Sequence, residues 1–254
     1  MNFWNTIRID LQRAFCSKLF LIGILCTVGI CCLNCSWDNM GDSVVNNIAQ
    51  LIFGSHVQMM FLCGAIPYSA AYLSDLEHGY INALVVRSSL RSYLYSKAAV
   101  AAVSGFAAVF LGKLLFALIL LPSYPLVSSN NCSDQGLELL IQISPWLYIA
   151  ADAAVSAVSA AGFAVMALVV SSVIRSTFVT IMSPLVLYFM ISSICQLINI
   201  PDVINISAMT YGTISMWYDN GVMTLVHIVL VWTIVAVLTG KLFVHHAERR
   251  FYDG

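Results

Sequence analysis

The chain has 254 residues, 60% of them hydrophobic and only 9% charged, with a net charge of −1 and a mean hydropathy of +0.89. Soluble domains run at about 45–50% apolar and about 25% charged residues, so this chain has too few polar groups to cover a water-soluble globule. Its wealth of large apolar residues excludes disorder, and its near-zero charge supplies no basic field for nucleic acid.

Phe3, Trp4, Ile7, Leu11 and Phe15 recur every three or four positions, with Asn5, Arg8, Gln12 and Arg13 between them. That spacing predicts an amphipathic interfacial helix over residues 1–14, lying in the lipid headgroup layer. Long apolar runs follow at 15–35, 48–73, 98–121, 147–172, 177–198 and 222–244. A helix needs about 20 apolar residues to span a bilayer, and the short alternating segments of a membrane barrel are missing. The sequence therefore reads as an all-α integral membrane protein with six transmembrane helices in one domain, 1–254. The first run is too long for a signal-peptide core and lacks a convincing cleavage site, so it is expected to be retained.

Ten of the eleven basic residues fall before or at the start of the first run, between runs two and three or four and five, or at the end of the last run and after it. The intervening segments 34–47, 122–146 and 199–221 hold no Lys or Arg, and carry Asp38, Asp42, Asp134, Glu138, Asp202 and Asp219. The positive-inside rule then puts both termini in the cytoplasm. The expected location is the cell membrane, as a multi-pass protein of a bacterial cytoplasmic membrane.

The connection between runs two and three, Ser74 to Lys97, carries the most information. Leu76, Tyr80, Leu84 and Val85 share one helical face, with Glu77, His78 and Asn82 elsewhere. A short amphipathic helix over 74–90 offers a docking surface for a soluble partner. An acidic pair, Asp75 and Glu77, is followed by Gly79, an apolar helix, a small-residue break, Arg91 and Lys97. This order resembles the permease subunits of ABC type-2 exporters, including drug and antimicrobial-peptide exporters and immunity permeases. Tyr80 stands where many members have Ser or Thr, and Ser88-Ser89 where many have Pro.

The resemblance implies a dimeric permease, of identical or different chains, with a separate cytoplasmic ABC ATPase docked on Asp75, Glu77, His78, Gly79, Asn82 and Arg87. ATP and Mg would bind that partner; this chain would bind no cofactor and would not itself be an enzyme. No Gly-x-x-x-x-Gly-Lys-[Ser/Thr] phosphate loop occurs in the sequence. The substrate expected from the resemblance is an amphipathic peptide, antimicrobial or drug.

His56, Lys113 and Asp152 stand out as titratable residues inside the apolar runs. Lys113 and Asp152 fall at similar depths on antiparallel spans, so an ion pair is expected, because an unpaired charge there costs at least ~2.5–3.5 kcal/mol. The three residues could instead line a substrate route. A secondary transporter or ion channel using them is the alternative function. No catalytic set emerges, and no His/Cys spacing makes a metal site. Ala and Gly rows in runs three and four predict close helix packing.

Cys31, Cys32, Cys35 and Cys132 cluster on the outer side, where a disulfide from Cys132 to Cys32 or Cys35 is expected. Segment 199–221, broken by Pro201 and Gly212 and bearing Trp217 and Tyr218, fits an outer re-entrant or interfacial element. His245, His246, Arg249 and Arg250 read as a lipid-facing cap on the tail.

Overall fold

A computed structural model describes residues 3–35, 41–51, 58–81, 89–128, 138–201, 205, 209–210 and 221–253. No strand occurs among them. Ten helices follow in chain order: α1 (Phe3–Phe15), α2 (Lys18–Asn34), α3 (Val44–Gln50), α4 (Met59–Ala65), α5 (Ala71–Glu77), α6 (Leu90–Leu120), α7 (Glu138–Ile143), α8 (Pro145–Val173), α9 (Thr177–Leu197) and α10 (Gly221–Asp253). α6, α8, α9 and α10 are each long and apolar enough to cross a bilayer. α1 and α2 meet at 56° and make a fifth candidate if the bent pair counts as one span. The protein is a membrane-embedded, multi-pass helical protein.

Local chemistry fixes the helix ends. The Ser17 hydroxyl accepts from the Phe20 amide at 3.1 Å and opens α2, satisfying one of the amides a helix start leaves unpaired. Ser176 does the same for α9, and Pro145 opens α8, where its missing amide costs nothing. Within α9, Pro184 removes the amide that would bond the Thr180 carbonyl. The Ser183 hydroxyl donates to that carbonyl at 2.7 Å instead, as apolar surroundings demand. Asn199, at φ 49°, ends α9, with the Ile200 amide reaching back to the Cys195 carbonyl at 3.2 Å.

α8 is the central helix and packs against α6, α10, α4 and α9. Its most apolar stretch is 67% buried, against 17% for α10, so α8 is protein-clad and α10 is lipid-facing. Three large apolar clusters stack along the bundle, beside a small one of Phe20, Ile24 and Ala108 between α2 and α6. One holds Phe116, Tyr148, Val45 and Cys31. The middle one holds Phe61, Phe163, Tyr188 and Trp232. The third holds Tyr72, Tyr93, Leu168 and Phe243. This last end, where the start of α6 meets the ends of α1, α8 and α10, gathers Arg13, Arg91, Lys97, Arg175 and Arg250, and is termed the basic end.

The structure corrects several expectations. The run 48–73 is not one helix: α3 lies at the far end, α5 at the basic end, and a turn over 66–70 with Pro67 separates α4 from α5. α6 starts at Leu90, so Arg91 and Lys97 are helical and not a lead-in to the span. α10 carries on to Asp253, so the tail residues His245, His246, Arg249 and Arg250 sit on the same helix as the last apolar run. The helix expected over 74–90 is interrupted: α5 ends at Glu77, Gly79 takes a left-handed φ of 67°, helical residues resume at Tyr80 and Ile81, and 82–88 lie outside the described residues. Most of 199–221 lies outside the described residues, as do Leu84 and Val85. Cys132, the expected disulfide partner of Cys32 or Cys35, lies outside the described residues.

Candidate functional site

At the basic end, α1, α5 and α6 converge on one buried ammonium. Lys97 is fully buried. Its Nζ donates to Asp10 Oδ1 at 3.0 Å and to the Tyr68 hydroxyl at 2.7 Å, and lies 2.7 Å from Asp75 Oδ2. Three partners match the three protons of an ammonium group. The Tyr68 and Tyr93 rings flank it, with centroids 4.9 and 5.2 Å away, adding cation–π attraction.

The two carboxylates are equally committed. Asp75 Oδ2 accepts from the Tyr93 hydroxyl at 2.7 Å, and Asp75 Oδ1 from Arg13 Nη1 at 2.8 Å. Asp10 Oδ2 accepts from Ser96 Oγ at 2.9 Å. Two cations thus face two anions, and each charge is hydrogen-bonded, the condition under which buried ions are tolerated. Burial alone would raise the Asp75 carboxyl. The charge of Lys97 and the hydrogen bonds from Lys97, Tyr93 and Arg13 outweigh it and hold the group below its ordinary value.

This cluster dictates which face of α1 looks inward. Thr6, Asp10 and Ala14, four residues apart, are buried, while Trp4 and Phe15 are exposed. The polar residue, not the aromatics, anchors α1 to α6. Immediately behind the cluster, Glu77, His78, Gly79 and Tyr80 are exposed. The His78 ring Nδ1 lies 2.7 Å from the Ser74 carbonyl, folding the side chain back over the end of α5.

The docking set expected from the sequence therefore divides. Asp75 is 2% exposed and belongs to the internal cluster, so it offers no surface. Glu77, His78 and Gly79 form an exposed turn. Asn82 and Arg87 lie outside the described residues. Asp10, Tyr68, Tyr93 and Ser96 were not singled out by the sequence. The available signal was Lys97 itself, a cation entering an apolar run with no acid within a helical turn of it.

A second ion pair is buried nearer the far end. Lys113 Nζ lies 2.7 Å from Asp152 Oδ2 and donates to Ser156 Oγ at 2.8 Å. Each charged residue is seven positions from the far end of its helix, about 10 Å at 1.5 Å per residue, so antiparallel α6 and α8 bring them level. His56 lies outside the described residues. Exchanging the charges, with Lys113→Asp and Asp152→Lys together, should leave a folded protein that unfolds near the wild-type temperature in detergent, while each single change lowers it. A double variant no more stable than the singles would refute a self-sufficient pair.

Among the described residues no group of His, Cys, Asp or Glu could hold a metal ion. Both buried clusters tie helices together.

No family model, curated protein or solved structure matches this chain.

Proposed function

We propose that the chain is the permease subunit of an ATP-driven ABC type-2 exporter. It would cross the membrane six times with both termini in the cytoplasm, and work as a dimer with a separate ATPase. The observation that carries the reading is the buried cluster around Lys97. It joins α1, α5 and the start of α6 into one corner directly behind the exposed Glu77–Tyr80 turn. An ATPase seated on that turn would push against a stiff lever, because every helix behind it is held by hydrogen-bonded charge. Closure of the ATPase on ATP would thus move α1 and α6 together and reshape the path between two permease chains. The cargo proposed is an amphipathic peptide, antimicrobial or drug. ATP and Mg would stay on the partner.

The test is recovery of the tagged chain from its native host in mild detergent, with identification of what co-purifies. A stoichiometric ATPase is expected, and Glu77→Ala should reduce its recovery while leaving thermal unfolding of the chain unchanged. Recovery of the chain alone, under conditions that keep other membrane complexes intact, would overturn the proposal. Flux measurements on Lys113 and Asp152 variants would then test the ion-relay reading.

A further inference from the structure

A cleft of about 390 Å³ opens at the basic end, between α5, the α8–α9 connection and the last turns of α10. Its polar lining is Tyr72, Arg175 and Arg250, and its apolar lining includes Leu76, Ile81 and Phe251. Both arginines lie close enough to act electrostatically on the Tyr72 hydroxyl. Arg250 is fixed by a hydrogen bond from Nη1 to the Ser172 carbonyl at the end of α8. No acidic side chain lines the cleft among the described residues. Two nearby acids are committed elsewhere: Asp75 to Lys97 and Arg13, and Glu248 to Arg91 at 2.6 Å; Glu77 is exposed and does not line the cleft.

Two guanidinium groups converging without a counter-charge make a site for an oxyanion. Guanidinium forks match phosphate oxygens in geometry as well as charge. Depth narrows the choice of ligand. Arg175 sits in the short connection between Val173 and Thr177, the ends of two helices long enough to cross the membrane. Val173, Ile174 and Phe178 around it are exposed and apolar, so the guanidinium lies where hydrocarbon gives way to headgroups. Basic pockets between helices at this level hold anionic lipid heads.

We propose that this cleft is an anion site that takes a phosphate group, carried by a lipid headgroup or free in solution. The two guanidiniums and the Tyr72 hydroxyl bind the oxyanion, while Leu76, Ile81 and Phe251 cover the apolar part of whatever carries it. Nothing in this assignment depends on an ATPase partner.

The experiment is native mass spectrometry of the full chain in mild detergent, titrated with phosphatidylglycerol, phosphatidylcholine or inorganic phosphate. Wild type should retain one phosphatidylglycerol with roughly tenfold preference over phosphatidylcholine, a difference of about 1.4 kcal/mol. Arg175→Gln and Arg250→Gln should each abolish that preference, and Lys241→Gln, an exposed cation outside the cleft, should keep it. Arg175 is exposed and makes no structural hydrogen bond in the cleft, so its variant stands as the test even where Arg250→Gln disturbs the end of α10. Displacement of the lipid by millimolar inorganic phosphate would confirm the oxyanion site with a free source, and resistance to it would confirm the lipid source. Equal retention of the two lipids without phosphate binding, or a preference unchanged in the arginine variants, would overturn the proposal.

Discussion

Lys97→Met should cost the protein about 3–5 kcal/mol of stability, the range for breaking a buried ion pair by removing one partner. The methionine fills the space but leaves Asp10 and Asp75 buried beside each other, with only Arg13 to offset them. Arg13 is half exposed, so Arg13→Gln should cost less than about 1 kcal/mol. The sign of the pH response separates this account from simple packing loss. In the wild type the Asp75 carboxyl is depressed, so its contribution is present above the ordinary carboxylate range and is lost as pH falls through the lower folded value. Without Lys97, burial dominates and raises the group, and the variant then gains stability relative to wild type as pH falls. Thermal unfolding in detergent at pH 7.5 and pH 5 should therefore show the deficit of Lys97→Met narrowing at the lower pH. A deficit independent of pH would place the cost in packing and not in charge.

Gly105→Val is expected to be strongly destabilising, because the obstacle at this position is backbone. A side-chain carbon at Gly105 of α6 would stand 2.7 Å from the Gly64 carbonyl oxygen and 3.0 Å from Ala164 Cβ. A carbon at Gly64 would in turn stand 2.9 Å from Ala160 Cβ. Here α4, α6 and α8 touch almost backbone to backbone, and backbone cannot rotate out of the way. Overpacking of this kind costs about 1–3 kcal/mol and occasionally more, and a branched residue takes the upper part of that range. Gly29→Val is the matched control, since nothing lies within 4 Å of the position a side chain there would take. Unfolding temperatures in detergent should differ between the two variants by several degrees, and equal values would refute the close approach.

The long helices were legible because uninterrupted apolar runs have only one solution in a bilayer. The predicted 147–172 and 177–198 differ from α8 and α9 by no more than two residues at either end. The Lys113–Asp152 pairing was legible for a related reason, since helical rise converts sequence position into depth. The second run was misread because hydropathy averages over breaks: the turn over 66–70 with Pro67 acts on backbone geometry, which a window of apolar residues does not register. The Lys97 cluster was hidden by distance along the chain. Its members come from Asp10, Tyr68, Asp75 and Lys97, and no local spacing relates positions 87 residues apart. The inward face of α1 was not legible, because its aromatic stripe suits lipid and Asp10 is buried only once Lys97 is folded against it.

The central placement of α8 has a consequence for biogenesis. A nascent chain that has inserted only as far as α6 holds Lys113 in the bilayer with no counter-ion, at a cost of about 2.5–3.5 kcal/mol. The counter-ion arrives 39 residues later on α8. Until then α4 and α6 lack the surface that α8 provides for both. Translation beyond Asp152 is thus the step that releases the growing chain from a state in which an uncompensated cation marks it as unfinished.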